Sequence, residues 1–211
     1  MRAAPAFVRL EGDVVPARRA KAPVKLDGEL DEWTDVPAVP LKGSALSGGL
    51  FKAMWDESAL YVAVAVRDAD VKACDEQGIG VNWRWGFDGV TLRVNTSDTG
   101  ELLPTDAGTM LPCGYQAVSL AVSGRKSGYP LSLCVSPANV RFAAKPIEGG
   151  YVLEAAIPAR EYGILPVAGA SIGFDLQLHG AVGTFCRYSK REGALYDGRR
   201  LGRLQFTETG R

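Results

Sequence analysis

The chain has 211 residues, 46% of them hydrophobic and 23% charged, with a formal net charge of zero. A chain of that length forms one domain and buries well over half of its unfolded surface. The charge balance supplies no field drawing it to nucleic acid or an anionic membrane, and no apolar run approaches the ~20 residues of a bilayer span.

Residues 1–22 carry prolines, alanines and scattered charges without a period and read as a lead-in segment. Arg2 is followed by no apolar stretch before Glu11 and Asp13, so no signal peptide is expected in this chain. Val24–Leu26 reads as a short extended run ending in Asp27-Gly28, a turn in which glycine accepts positive φ. The acids that follow, Glu29, Asp31 and Glu32, suit the first turn of a short helix, and Trp33 packs that turn onto the body. Pro37 and Pro40 bracket an irregular or edge segment.

From Leu50 the period becomes that of a strand. Phe51–Trp55 runs into the tight turn Asp56-Glu57-Ser58, after which Leu60, Val62, Val64 and Val66 alternate along a second strand of a hairpin. A loop with Asp68, Asp70, Gly78 and Gly80 leads to Trp83-Arg84-Trp85-Gly86-Phe87-Asp88-Gly89, which turns into a strand with Val90, Leu92 and Val94 on one side. Asn95 to Thr109 reads as a long loop. Gln116–Val122 and Pro130–Val135 read as strands joined through Ser123–Gly128, and Val140–Ala144 as another. Glu148-Gly149-Gly150 is a turn before the strand Tyr151–Ile157, which Pro158 ends, and Ala159–Tyr162 makes one helical turn before Gly163. Ser171–Leu178 and Leu201–Phe206 complete a set of about ten short strands, the pattern of an all-β sandwich.

The chemistry-bearing residues are sparse. The single histidine, His179, has no serine or cysteine partner at a recognisable elbow, and the four cysteines form no C-x-x-C pair, so a zinc site is not expected. Glycoside hydrolysis needs two carboxylates ~5–10 Å apart across a cleft. Glu154 and Asp175 are strand acids that nothing in the sequence pairs, and each reads as an acid satisfied within the fold. Asp68 and Asp70, with Asp75 and Glu76 after them, are a cluster of hard oxygen ligands of the kind calcium takes, equally readable as a solvated acidic loop.

Several motifs occur together in order: Asp27-Gly-Glu-Leu-Asp-Glu-Trp33, Trp55-Asp-Glu-Ser-Ala-Leu-Tyr-Val62 running to Asp68, and Trp85-Gly-Phe-Asp88-Gly-Val90. They continue with Gly149-Gly-Tyr-Val-Leu-Glu-Ala-Ala-Ile157-Pro158, Ile172-Gly-Phe-Asp-Leu-Gln177 and Leu201-Gly202-Arg-Leu204. This set resembles carbohydrate-binding module family 9 and its DOMON-like relatives over residues 23–207, leaving 208–211 as a tail. The resemblance implies a β-sandwich of immunoglobulin-like or jelly-roll type with short antiparallel strands. It implies a non-catalytic module that binds a saccharide or polysaccharide, with no organic cofactor and with structural calcium for which Asp68 and Asp70 are the candidates. Such a module is an accessory to a fused or associated catalytic domain of a secreted or periplasmic glycan-processing protein.

The family's stacking tryptophan falls on Trp85 and its strand glutamine on Gln177. A glutamate of the family site falls on Thr91, an arginine and an asparagine fall near Val118 and Leu120, and the second clamp tryptophan falls on Leu195. Tyr196 or Trp83 supplies the second ring in the sugar-binding reading. The rival reading is a structural or protein-interaction module of the same fold that has lost the sugar site. A third, following haem-binding DOMON-like relatives, needs His179 as an axial ligand with Met54 or Met110.

Overall fold

In a computed structural model, the residues described are 14–41, 48–71, 88–96, 102–104, 110–112, 115–122, 126–128, 139–179, 186–187 and 201–208. Their strands, in chain order, begin with β1 (Val14–Arg19), β2 (Val39–Leu41), β3 (Gly48–Trp55), β4 (Ala59–Arg67) and β5 (Gly89–Asn95). Next come β6 (Leu102–Pro104), β7 (Met110–Pro112), β8 (Tyr115–Ala121), β9 (Lys126–Gly128) and β10 (Arg141–Ile147). Last are β11 (Gly150–Pro158), β12 (Ser171–His179), β13 (Cys186–Arg187) and β14 (Gly202–Thr207), and the one helical element among the described residues is a 3-10 turn at Asp31–Trp33.

Hydrogen bonding runs in the order β10-β11-β4-β3-β1-β14-β12-β5-β8-β9, with β2 beside β3, β13 beside β12, and β6–β7 as a separate pair. The two halves of this ladder lie face to face. Phe51 of β3 meets Phe174 of β12 with ring centroids 5.6 Å apart, and Trp55 meets Phe206 of β14 at 5.5 Å. Alternate residues make the contact layer, as pleating requires. Leu60, Val62 and Val64 of β4 and Leu153, Ala155 and Ile157 of β11 face Val90, Leu92 and Val94 of β5 and Phe174, Leu176 and Leu178 of β12 in one buried cluster. The fold is the expected β-sandwich, with β10, β11, β4, β3 and β2 in a first sheet and β14, β12, β5, β8 and β9 in a second.

Strand β1 joins the halves and corrects the reading of residues 1–22 as a lead-in. Val14 to Arg18 pair with β14 and Arg18 and Arg19 with β3, both in parallel, so the strands are not all antiparallel. The segment carries only two core positions, Val15 and Ala17, around Pro16, too short an alternation to read as a strand. Two further segments read as connections are paired backbone: Leu102–Pro104 with Met110–Pro112, and Lys126–Gly128 with β8. The strand expected at Pro130–Val135 lies outside the described residues.

The two outer faces differ in what covers them. On the first sheet, Met54, Tyr61, Ala63 and Ala156 form a second apolar cluster with Trp33 and Val36, onto which Val24, Leu26 and Leu30 pack. Residues 20–36 are therefore a cover. Glu154 fastens it: one carboxylate oxygen accepts the N–H groups of Asp27 and Gly28 at 3.0 and 2.7 Å, and the other accepts the Trp33 indole N–H at 2.7 Å. Lys52 adds a bond to the Trp33 carbonyl at 2.6 Å. Trp33 thus packs the Asp27–Glu32 turn onto the body as expected, and the reading of Glu154 as an acid satisfied within the fold is the observed one.

Candidate functional site

The outer face of the second sheet is polar and still buried. Strand β5 puts Val90, Leu92 and Val94 inward, so Thr91, Arg93 and Asn95 point outward. β12 turns Leu176 and Leu178 inward and Asp175, Gln177 and His179 outward. β8 contributes Ser119 between the core residues Val118 and Leu120. None of these seven outward residues is more than 7% exposed. Polar groups held out of water are costly unless hydrogen-bonded, and five of the seven bond to one another, Thr91 with Ser119 and His179, and Arg93 with Gln177.

Pairing register sets which ones meet. Gln177, Thr91 and Ser119 lie directly across from one another on β12, β5 and β8, with Asp175 across from Arg93 one step along and His179 across from Gly89 one step the other way. Long side chains also reach their diagonal neighbours. Thr91 Oγ1 is 2.7 Å from Ser119 Oγ and 2.5 Å from His179 Nε2, and the Arg93 guanidinium donates to Gln177 Oε1 at 2.8 Å. Asp175 Oδ1 accepts the N–H of Leu176 at 2.8 Å.

Of the residues assigned on sequence grounds, Gln177 and Thr91 are side by side on this face. Val118 and Leu120 are not on it: both are core residues, 1% and 0% exposed, and the outward residue of β8 is Ser119. A one-residue difference in register moves a side chain to the other face of a sheet, so Ser119 faces outward between two inward neighbours. Trp83, Trp85, Leu195 and Tyr196 lie outside the described residues, as do Asp75 and Glu76. Arg93 and Ser119 have no assignment on sequence grounds, and His179 enters there only as the axial ligand of the haem reading. Their signal was the alternation itself, polar at every second position of β5 and β12, which ordinarily marks a solvated face.

Asp68 and Asp70 sit just beyond β4. Asp68 Oδ1 accepts the N–H of Asp70 at 2.9 Å, a local turn bond. Among the described residues no three His, Cys, Asp or Glu side chains group as metal ligands. Two carboxylates fall short of the six to eight oxygens calcium takes, so these residues do not make such a site by themselves.

Glu154 and Asp175 point outward from different sheets, with a sandwich core ~10 Å thick between them. They cannot flank one glycosidic bond. Met54 belongs to the cluster under the cover on the first sheet while His179 is on the outer face of the second, so this pair cannot hold one haem between them. Two clefts, of about 390 and 480 Å³, flank residues 20–24 on the covered side. In the smaller, Lys21 pairs with Asp35 at 2.8 Å and Arg18 donates to the Asp35 carbonyl at 2.6 Å, so these three are engaged with one another.

A protein-family model described as carbohydrate family 9 binding domain-like matches residues 26–192. The chain belongs to this family. It is 30% identical over 184 residues to endo-1,4-beta-xylanase A of Thermotoga maritima and 29% identical to that of Thermotoga neapolitana. Each match takes in 82% of this chain but 15% of the xylanase, so the chain spans a small part of these relatives. Two solved structures of a family 9 carbohydrate-binding module from Caldicellulosiruptor kristjanssonii share the fold at 18% identity. The complex with cellotriose has a TM-score of 0.74 and covers 94% of this chain and 95% of that one. The glucose complex has a TM-score of 0.72 and covers 94% and 97%. No helix among the described residues is long and apolar enough to cross a membrane.

Proposed function

We propose that this family 9 chain is a non-catalytic module that holds a β-1,4-linked glucose oligomer against the outer face of the second sheet. The observation that carries the reading is the buried polar face of β8, β5 and β12, where Gln177, Thr91 and Ser119 stand in one row. Sugars offer hydroxyls that donate and accept, and an amide such as Gln177, held on a strand by its bonded neighbours, answers them with little ordering cost. The choice of a glucose oligomer follows the cellotriose and glucose bound by the fold neighbours.

Aromatic stacking completes the reading. Strand β5 begins at Gly89, level with His179, so the chain joins this face at its His179 end, and Trp85 precedes Gly89 by four residues in the sequence. Trp85, with Tyr196 or Trp83 as the second ring, supplies apolar faces for the sugar C–H groups. The xylanase relatives support a place as an accessory domain of a secreted or periplasmic glycan-processing protein that carries its catalytic domain elsewhere.

One observation favours the rival, a structural or interaction module: the Thr91 hydroxyl is already engaged by both Ser119 and His179. Calorimetric titration with cellotriose separates the two. The sugar reading expects binding that Trp85→Ala abolishes while the melting curve stays in place. A wild-type protein silent to cellotriose, glucose and a wider glycan array leaves the rival standing.

A further inference from the structure

Gln177 is the one outward amide of β12, and an amide can present either of two opposite faces. Its carbonyl oxygen accepts and its nitrogen donates twice. Beside it the guanidinium of Arg93 lies 2.8 Å away, and a guanidinium has donors only. The atom facing Arg93 must therefore be Oε1, which turns Nε2 and its two hydrogens the other way. Both residues are at most 3% exposed, so neither is free to swing into solvent. No hydrogen bond to the Gln177 amide nitrogen is formed among the described residues.

We propose that Arg93 is a positioning residue that locks the Gln177 amide with its N–H groups toward the ligand, so that the site selects sugars offering an acceptor oxygen there and disfavours amino sugars. The inference rests on the saccharide-binding reading and adds the polarity of one contact to it. A hydroxyl oxygen satisfies the amide donors. A protonated amine has only donors and would also face the positive charge of Arg93. Without Arg93 the amide could turn to offer its carbonyl, and the preference would weaken.

Gln177→Glu tests this without disturbing the Arg93 partner. The carboxylate still accepts from the guanidinium, while the ligand-facing donors become an acceptor. The melting temperature is expected to hold or rise, and affinity for cellotriose to fall about tenfold or more. Arg93→Lys keeps a donor beside Oε1 and is expected to keep the preference for cellotriose over the matching glucosamine trimer; Arg93→Met is expected to narrow it. Wild-type protein that ignores cellotriose overturns the saccharide reading and this inference with it. Wild-type binding that Gln177→Glu leaves unchanged overturns the inference alone, whether or not Arg93→Met folds. Equal wild-type affinity for the two trimers overturns the claimed selectivity.

Discussion

Replacing Glu154 by alanine is the perturbation whose cost the structure lets one work out most directly. The carboxylate is fully buried and accepts three N–H groups, from Asp27, Gly28 and the Trp33 indole. A hydrogen bond to a charged group contributes about 1.5–3 kcal/mol, which puts the simple sum at roughly 4–9 kcal/mol. The sum overstates the loss. Asp27 lies on an exposed turn whose N–H can turn to water, whereas the Trp33 indole N–H, fully buried while the cover stays in place, is left without its acceptor. About 3–5 kcal/mol is the expected cost, in line with other deletions of a buried charge from its partners. For a chain of this size that lowers Tm by roughly 6–20 °C. Thermal and urea unfolding followed by circular dichroism measure it, and an alanine variant melting within about 2 °C of wild type would refute the idea that Glu154 fastens the cover.

The same carboxylate carries a pH signature. Burial pushes its pKa above the ordinary 4.5, against the opposing pull of the Gly28, Trp33 and Asp27 donors. A raised acid binds its proton more tightly in the folded than in the unfolded chain. Its contribution to stability therefore grows as pH falls through the raised value and levels off below the ordinary one. Glu154→Gln is expected to remove that slope at a cost of about 1–2 kcal/mol, because the amide keeps one acceptor but sets a donor against another donor.

Asp56→Ala removes an acceptor for Ser58 N, Ser58 Oγ, Ala59 N and the Tyr61 hydroxyl, at 2.7 to 2.9 Å, and is expected to cost about 1–3 kcal/mol in urea unfolding. Burial alone would raise the Asp56 pKa, but the Ser58 and Tyr61 bonds outweigh it and hold it below 3.8, so the difference from wild type persists above that pH and shrinks as pH falls through the lowered value. Gly150→Ala places a Cβ 1.9 Å from the Val66 carbonyl oxygen, which forces β11 and β4 apart and is expected to cost about 2 kcal/mol or more; unchanged stability would contradict that approach. The calcium proposed at Asp68 and Asp70 needs ligands from outside the described residues, with Asp75 and Glu76 the sequence candidates. If a tightly held ion is present, a chelator lowers Tm by mass action, and an unmoved Tm counts against it.

The sandwich was legible in the sequence because β4, β11 and β12 are long, largely apolar runs of nine residues each. The covering turn was legible from its acids and Trp33. What escaped was short or two-sided. β1 offers two inward residues, and β6, β7 and β9 are three residues long, below the length at which a period of two declares itself. The site face escaped for another reason. Thr91, Arg93 and Asp175 look like solvent-facing positions, and only the folded chain shows them at most 2% exposed. Register is a property of two strands, so which residue of β8 shares a face with Thr91 and Gln177 is something one strand cannot reveal.

The contrast between the two outer faces supports the proposed placement of the site on the second sheet. On the first sheet the chain uses its own residues 20–36 to close an apolar surface, and the buried acid there is consumed by three internal donors. Among the described residues, neither oxygen of that acid is left unbonded to offer a ligand. On the second sheet the outward positions are polar instead, and among the described residues Gln177 uses its oxygen and keeps its two amide hydrogens unbonded. A sheet meant only to pack would carry apolar residues there, as β3 and β4 do beneath Trp33. Replacing both Thr91 and Ser119 by valine is then the decisive contrast with Gln177→Glu. It removes a hydroxyl pair that bonds mainly within the protein, so the expected result is a change in melting temperature larger than any change in affinity for cellotriose. The opposite outcome, affinity lost at constant stability, would show that this hydroxyl pair faces the sugar and that the contact surface extends across all three strands.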